Sequence, residues 1–351
     1  MRVAVGAARD GDDWQSAADF AVEAERLGVH SLWSGEAWGY DAVTPLAFLA
    51  GRTSSIRLGT GILQVGARSP AMVAMASMSL ASISGGRFIL GMGVSGPQVM
   101  EGWHGVRFDR PVQRTRELIE IVRLIFRGER LSYEGQIHRL PLPDGEGRAI
   151  RPRTPPVEIP VYVAALGPRN LRMTGELAQG WIGDSFMPET AEVFLSHIRE
   201  GAEGVGRTLE DIDVQAPASL EFSDDVGEVA KRHARGFAFA IGAMGSAKQN
   251  FNTNAFARQG FAEAVYEVQR LWLEGKRDEA RELVPIEIGF RANLLGTPDT
   301  VKERLRVYRD AGINTMRVGL PGDTTGEKLD ALAQLMDLVT EVNAEADAEA
   351  S

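Results

Sequence analysis

The feature of this sequence that most limits its possible folds is a recurring unit, in which a helical segment ends at a glycine and a short apolar segment follows. The unit is clearest in AERLGVHSLW (24–33), GELAQGWIGD (175–184) and YRDAGINTMRVG (308–319). The residues before each glycine have apolar positions at helical spacing, and the run after it has the length of a buried strand. A chain that alternates helices with buried strands builds a mostly parallel sheet covered by helices.

Eight apolar segments of this kind are predicted to form strands, and most of them alternate with segments of helical pattern. They lie at 2–8, 31–35, 56–63, 88–93, 161–166, 181–186, 214–222 and 315–320. Eight alternating strands predict an α/β fold of the (β/α)8 TIM barrel type with loop insertions. The rival, a doubly wound sheet, uses fewer strands and opens with a glycine-rich turn after strand one. The residues after strand one, Gly6-Ala7-Ala8-Arg9, lack that fingerprint.

We predict one barrel domain over 1–351, with insertions near 131–160 and 236–290. The first insertion is rich in Pro and Gly, but a strand follows it at once, which favours a long excursion over a linker between domains. The second begins with a Gly-, Phe- and Asn-rich stretch, 236–260, that is predicted to be irregular.

The composition excludes several classes of function. The net charge of -10 argues against a nucleic-acid partner or an acidic membrane surface. The absence of cysteine excludes disulfides, thiol chemistry and thiolate metal ligands. No apolar run reaches transmembrane length and the N-terminus does not resemble a signal peptide, so we expect no membrane partner and a cytoplasmic location.

The ends of the predicted strands should form the mouth of the barrel, where such folds place their sites. These ends are mostly small, apolar or neutral, and they lack the carboxylate pair of a glycosidase and the His/Asp cluster of a metal hydrolase. The five histidines show no paired spacing, and only His104 could lie near a strand end, so no metal site is predicted. A nearly uncharged mouth suits a reaction carried by a flat cofactor.

Three stretches at these ends are candidate ligand contacts. Gly93-Val94-Ser95-Gly96-Pro97 follows a buried strand with a backbone that a ligand can approach closely. Gly167-Pro168-Arg169-Asn170 opens a helix, so its N–H groups and Arg169 could hold a phosphate, although a plain helix start is the alternative. Glu36 is the carboxylate placed inside the mouth, either for proton transfer or as a rim salt bridge. Arg148, Arg151 and Arg153 could add charge for a longer anionic tail or be solvated loop arginines.

Several segments together resemble a known superfamily. SGPQVMEGW (95–103) and AALGPRN (164–170) are the most specific, and they are supported by the segments 31–63, NFNTNAFARQGF (250–261) and 296–320. The chain resembles the bacterial-luciferase-like superfamily, and more closely the actinobacterial oxidoreductases that use the deazaflavin coenzyme F-420, relatives of methylenetetrahydromethanopterin reductase.

The resemblance implies a (β/α)8 barrel with F-420 across its carboxyl-terminal mouth, and it assigns site residues. A non-proline cis peptide, Gly61-Ile62, would back the deazaflavin ring, and Glu36 would lie near the reacting ring carbon as the catalytic residue. The implied cofactor-binding residues are Gly61, Ile62, Gln64, Ser95, Gly96, Pro97, Gln98, Ala165, Gly167, Pro168 and Arg169.

The implied function is hydride transfer between F-420 and a small organic substrate. Two alternatives remain open: an FMN-dependent luciferase-like monooxygenase, and a non-catalytic barrel that binds a flavin or deazaflavin. The resemblance also implies a homodimer, for which the Met- and Ala-rich helix at 70–83 is a candidate interface. The methionines on one side of that helix, Met72, Met75 and Met78, are predicted as core.

Overall fold

Eight parallel strands close into a barrel in the computed structural model, which describes residues 1–7, 11, 13–245 and 250–349. Each strand pairs with the next in chain order, and β1 pairs with both β2 and β8, which closes the ring. The sequence prediction of a (β/α)8 barrel is confirmed. The strands are β1 (Arg2–Gly6), β2 (Ser31–Ser34), β3 (Arg57–Thr60), β4 (Phe88–Gly93), β5 (Val161–Ala164), β6 (Gly180–Ile182), β7 (Asp213–Phe222) and β8 (Thr315–Gly319).

Helices lie outside the ring and bury the outward side chains of the strands. On β8, for example, Met316 and Val318 belong to the large core between strands and helices, and Thr315 and Arg317 therefore face the barrel interior. The helices are α1 (Trp14–Arg26), α2 (Val43–Ala50), α3 (Pro70–Ile83), α4 (Pro97–Gly102), α5 (Pro111–Phe126), α6 (Pro168–Leu177), α7 (Glu192–Glu203), α8 (Val226–Ala243), α9 (Phe251–Phe256), α10 (Ala262–Leu273), α11 (Arg277–Leu283), α12 (Ile286–Arg291), α13 (Pro298–Asp310) and α14 (Thr325–Glu349).

Two aromatic rings fill the middle of the barrel. Trp33 on β2 and Tyr162 on β5 are buried, and their ring centroids are 5.8 Å apart. Glycines on the adjoining strands make room for them, since a Cβ on Gly59 would lie 2.6 Å from the Trp33 ring and one on Gly180 would lie 2.4 Å from the Tyr162 ring. The interior is therefore packed at this level and cannot act as a pore.

A polar cluster closes the amino-terminal end of the barrel. The carboxylate of Asp213 accepts hydrogen bonds from Arg2, Tyr162, Gln215 and Thr315 at 2.7 to 3.0 Å. Since this end is filled, a ligand can enter only from the carboxyl-terminal end of the strands.

Additional segments extend the barrel at two places. A short antiparallel hairpin, Tyr133–Glu134 with Arg139–Leu140, lies between α5 and β5. Between β7 and β8, helices α8 to α12 enclose a second apolar core that includes Ala238, Ile241, Phe256 and Val268. Five shorter segments complete the secondary structure of the described residues. Leu63–Gln64 pairs with β4 and Leu294–Gly296 pairs with β7. Irregular helical turns are formed by Pro188–Thr190, Leu209–Asp211 and Ala257–Phe261.

Helix starts follow local sequence where a cap residue precedes a proline. The Thr297 hydroxyl accepts a hydrogen bond from the N–H of Thr300 at the start of α13, and Ser69 caps α3 in the same way. The start of α3 at residue 70 is the one that the sequence predicted.

Two local predictions were wrong. The stretch 236–260 is largely helical among its described residues, because α8 continues to Ala243 and α9 follows; residues 246–249 lie outside the described part. Met72 and Met75 are 53% and 58% exposed, and of the three methionines only Met78 belongs to the core, because no described element covers the outer side of α3.

No helix among the described residues is long and apolar enough to cross a membrane.

Candidate functional site

The carboxyl-terminal ends of β3, β4 and β5 meet at a small apolar surface. A Cβ added to Gly93 would lie 3.2 Å from the Cβ of Ala164 and 3.2 Å from Cγ1 of Ile62, so these three residues touch. Ile62 and Ala164 are partly buried and pack on the inner aromatic cluster. The top of the barrel interior is therefore a shallow apolar floor on which a flat ring can lie.

Thr60 supports this floor from below. The backbone ladder between β3 and β4 covers only Leu58 and Gly59 of β3. Beyond it, the Thr60 hydroxyl donates to the carbonyl oxygen of Gly91 at 2.7 Å and accepts from the Gly91 N–H at 2.9 Å. The following peptide, Gly61–Ile62, is cis, as the resemblance implied.

Glu36 follows β2 and has three protein partners. Its carboxylate accepts hydrogen bonds from the Arg68 guanidinium at 2.5 Å, from the Gln64 N–H at 2.9 Å and from the Ala42 N–H at 3.1 Å. Its side chain is only 7% exposed. The hydrogen bond that Arg68 donates to Glu36 raises the pKa of Arg68 above its usual value, so the guanidinium stays charged. The arrangement joins the turns after β2 and β3.

Gln64 is buried and links the same turns to His104. Its Nε2 donates to the carbonyl oxygens of Glu36 and Ala37, which leaves Oε1 to face the His104 Nε2 at 2.6 Å. This assignment requires the proton of a neutral His104 to reside on Nε2. The resemblance assigned Gln64 to cofactor binding. In the structure, both the nitrogen and the oxygen of its side-chain amide have protein partners.

The predicted loop 95–98 is partly a helix. Ser95 has a left-handed backbone with φ of 58°, Gly96 caps α4, and Pro97 begins it. Gln98 lies on the first turn and donates to the carbonyl oxygen of Gly245 from the insertion between β7 and β8. The loop therefore lies between β4 and that insertion, beside the apolar floor.

The start of α6 is the place where the sequence predicts an anion site. Gly167 caps the helix without a side-chain hydrogen bond, and a Cβ placed on it would meet nothing within 4 Å. Arg169 is exposed and has no hydrogen-bond partner among the residues that the structure describes. Ala165, just before this turn, is buried, and its carbonyl oxygen accepts from the Trp181 indole at 2.8 Å.

Arg258 adds a second cation to this place. It donates from Nη2 to the carbonyl oxygen of Leu166, one residue before Gly167. Burial lowers the pKa of Arg258 from its usual value, although the residue as a whole stays exposed. The helix dipole, free N–H groups and the Arg258 side chain thus lie at one open turn, with Arg169 on the first turn of the helix.

Arg148, Arg151 and Arg153 do not join this site. They are exposed and lie in the segment that leads into the amino-terminal end of β5. Ile150 between them accepts from the Leu131 N–H, just beyond the end of α5. They therefore lie toward the opposite end of the barrel from the mouth.

A cavity of about 240 Å³ opens on the outer side of the Glu36 ion pair. It is lined by residues 65–70, Arg114, Leu118 and His138. Arg68 forms part of its wall, so the guanidinium that holds Glu36 is itself reachable from this cavity.

Comparison with known proteins decides the family. The family model described as luciferase-like monooxygenase matches residues 1–315. The chain belongs to this family.

Relatives within the luciferase-like family extend the comparison. A candidate coenzyme F-420-dependent oxidoreductase of Mycobacterium tuberculosis is 38% identical over 313 residues, which cover 87% of this chain and 90% of that protein. The 5,10-methylenetetrahydromethanopterin reductase of Methanolobus tindarius is 28% identical over 313 residues, with 89% and 92% covered. The solved structure of the coenzyme F-420-dependent tetrahydromethanopterin reductase of Methanopyrus kandleri superposes with a TM-score of 0.75 at 25% identity, covering 96% of this chain and 97% of that one.

Three residues at the candidate site were given no functional role in the sequence analysis. Arg258 lay within the segment 250–261 that carried the resemblance, but no role was assigned to it. His104 was noted as a possible exception and otherwise interpreted as a packing residue. Arg68 gave no signal, since its partner Glu36 lies 32 positions earlier in the chain.

Proposed function

We propose that this protein is an F-420-dependent oxidoreductase that transfers a hydride between the deazaflavin and a small organic substrate. The observation that carries the proposal is the pairing of an open apolar floor at Ile62, Gly93 and Ala164 with a doubly cationic helix start at Gly167. A flat ring with an anionic tail matches both features. The relatives named for F-420 support the choice of cofactor.

Each part of the mouth has a proposed role toward that ligand. Gly61 and Ile62 form the floor beneath the ring, and Ser95, Gly96, Pro97 and Gln98 form its side. Gly167, Pro168 and Arg169, with Ala165 beneath and Arg258 beside them, hold the phosphate. The bound deazaflavin supplies the hydride-accepting and hydride-donating carbon, and the protein orients it.

We propose that Glu36 and Gln64 position the mouth. Their side-chain oxygens and nitrogens are taken up by Arg68, by His104 and by backbone groups. If Glu36 instead carries a proton, Glu36→Gln will change the pH dependence of turnover while F-420 binding remains intact. A positioning role predicts weaker F-420 binding with the pH profile unchanged.

A homodimer and a single functional domain complete the proposal. Met72, Met75 and Ile83 leave an exposed apolar strip on α3, which suits contact with a second copy. The insertion between β7 and β8 contributes to the mouth through Arg258 and through the Gly245 carbonyl, so we treat barrel and insertion as one unit.

Titration of the purified protein with F-420 and with FMN tests the cofactor. We expect F-420 to bind at least tenfold more tightly than FMN. Gly167→Asp places a carboxylate at the phosphate and should weaken F-420 binding about tenfold or more. Gly147→Asp is the matched control, since it adds the same charge at an exposed glycine whose Cβ would also meet nothing within 4 Å.

Tighter binding of FMN, with oxygenation by the reduced flavin, would contradict the cofactor assignment. Equal F-420 affinity in Gly167→Asp and Gly147→Asp would remove the phosphate site. Cofactor binding without turnover across alcohols, aldehydes, imines and enones would indicate a non-catalytic barrel.

A further inference from the structure

Arg317 lies inside the barrel, and the described residues do not accept hydrogen bonds from all of its buried N–H groups. It lies on β8 opposite Ala4 of β1 and Pro217 of β7, and its neighbours Met316 and Val318 face outward, so its side chain faces the interior. Nη2 donates to the carbonyl oxygen of Gly183 at the end of β6. Nε is buried and has no hydrogen-bond partner within the described part of the chain.

No carboxylate among the described residues lies within 4 Å of this guanidinium. Asp184 is near enough to act on it electrostatically, but Asp184 is exposed and its Oδ1 accepts from the Ser185 N–H. Burial lowers the pKa of Arg317, with Asp184 offsetting part of that effect, and an arginine still remains charged. The barrel therefore holds a cation without a close counter-ion.

Open space lies above Arg317 on the same strands. The next inward positions are Gly6 on β1, Ser219 on β7 and Gly319 on β8. A Cβ on Gly6 would meet nothing within 4 Å, and one on Gly319 would come no closer than 3.6 Å to Ser219 Oγ. Gly6 and Gly319 are exposed and Arg317 keeps part of its surface accessible, so this hollow opens to the mouth.

A buried cation with an unmet N–H destabilises a fold unless something else uses it. An orphaned buried donor keeps its full desolvation penalty, and replacing buried charged groups by apolar residues of similar volume is often neutral or stabilising. Arg87 shows the contrasting design in this chain, since it donates five hydrogen bonds to backbone and hydroxyl oxygens at positions 50, 53, 56 and 84. Arg87 stabilises the fold through these hydrogen bonds, whereas Arg317 makes only one to the residues that the structure describes.

We propose that Arg317 binds ligand: the accessible edge of its guanidinium donates hydrogen bonds to a carbonyl or carboxylate oxygen of a molecule that fills the hollow between β1, β7 and β8. The hollow lies across the barrel from the floor at Ile62, so a ligand oxygen there would belong either to the deazaflavin or to the substrate beside it. The inference rests on the proposed function for the identity of the first source only.

Two arginine-to-methionine variants separate ligand binding from structure. Without ligand, Arg317→Met should unfold at the same temperature as the wild type or higher, because it removes an unsatisfied buried donor. Arg87→Met should unfold at a clearly lower temperature. Arg317→Lys keeps the charge but loses the planar fork and should show a partial loss of binding.

Two probes then identify the source of the oxygen. If the cofactor supplies it, the Kd for F-420 should rise about ten- to hundredfold in Arg317→Met, the range of one hydrogen bond to a charged group. If the substrate supplies it, F-420 affinity should stay unchanged. Acetate, as a small oxyanion, should then raise the unfolding temperature of the wild type and not that of Arg317→Met.

The proposal is overturned if Arg317→Met binds F-420 as tightly as the wild type does and acetate stabilises both proteins equally. It is also overturned if ligand-free Arg317→Met loses as much stability as Arg87→Met. A wild type that fails to bind F-420 would sink the proposed function, but the acetate comparison would still decide the role of Arg317.

Discussion

Thr60→Val is the change that most directly weakens the support beneath the candidate cofactor site. Thr60 is fully buried, and valine has nearly its shape, so the substitution removes a hydroxyl and little else. That hydroxyl is the partner of both the N–H and the carbonyl oxygen of Gly91. Because Leu90 turns its own N–H toward β5, the Gly91 groups face β3 and would be left without partners.

The size of the effect follows from two orphaned backbone groups. Each buried polar group without a partner costs about 1–3 kcal/mol, so Thr60→Val, which leaves two of them, should lose about 2–6 kcal/mol. Since a domain is stable by only about 5–15 kcal/mol, the loss should be plain in urea unfolding followed by circular dichroism. F-420 binding should weaken as well, because Ile62 lies two residues further on.

Thr60→Ser is the control, since it keeps the hydroxyl and removes only a methyl group. It should cost about 1 kcal/mol and retain most F-420 affinity. The reasoning is refuted if Thr60→Val unfolds within about 0.5 kcal/mol of the wild type, or if Thr60→Ser costs more than Thr60→Val.

Three further perturbations test other parts of the molecule. Burial raises the pKa of Glu25, but hydrogen bonds from the N–H groups of residues 54–56 outweigh it and lower this pKa from 4.5 to about 2. The shift stabilises the fold by about 1 kcal/mol after allowance for exposure. This stabilisation is present above pH 4.5 and is lost as the pH falls toward 2. Glu25→Gln should flatten the pH dependence of urea unfolding in that interval, and an unchanged slope would contradict the assignment. Gly175→Ala would place a Cβ 1.9 Å from a carbonyl oxygen of α7, so it should cost about 1–3 kcal/mol or more in thermal unfolding; a fully stable variant would show that α6 and α7 can separate. Met72→Glu with Met75→Glu should convert the proposed dimer to a monomer in sedimentation, whereas an undisturbed dimer would place the interface elsewhere.

The sequence predicted the elements well because the barrel strands are short apolar runs bounded by turn residues. Each predicted strand overlaps a strand of the structure, although the sixth is shared only at residues 181 and 182, and α3 begins and ends at the predicted residues, 70 and 83. Strand ends such as 35 and 186 were overextended, because the ladder with the neighbouring strand decides where pairing stops, and a single strand does not contain that information.

The site was less accessible to sequence reasoning because its contacts join distant positions. Arg258 reaches Leu166 across 92 positions, and Gln98 reaches Gly245 across 147. No local pattern encodes such pairs. Arg317 is a related case, since its inward orientation depends on the register of β8 against β1 and β7, and a charged residue in TMRVG is as easily interpreted as solvent-facing.

Small residues determine the shape of the mouth. Gly93 lets Ile62 and Ala164 meet, and Gly167 leaves the start of α6 open. The residues at the predicted strand ends indicated a nearly uncharged mouth, and the structure adds Arg258 at one side of it. Fold and proposed chemistry thus depend on the same few strand ends.

A crystal structure of the protein with bound F-420 tests the central claim most directly. The account predicts the deazaflavin ring in contact with Ile62 and Ala164, and the phosphate at the N–H groups after Gly167 with Arg169 and Arg258 beside it. A ring bound away from the ends of β3 to β5, or a phosphate remote from the start of α6, would contradict it.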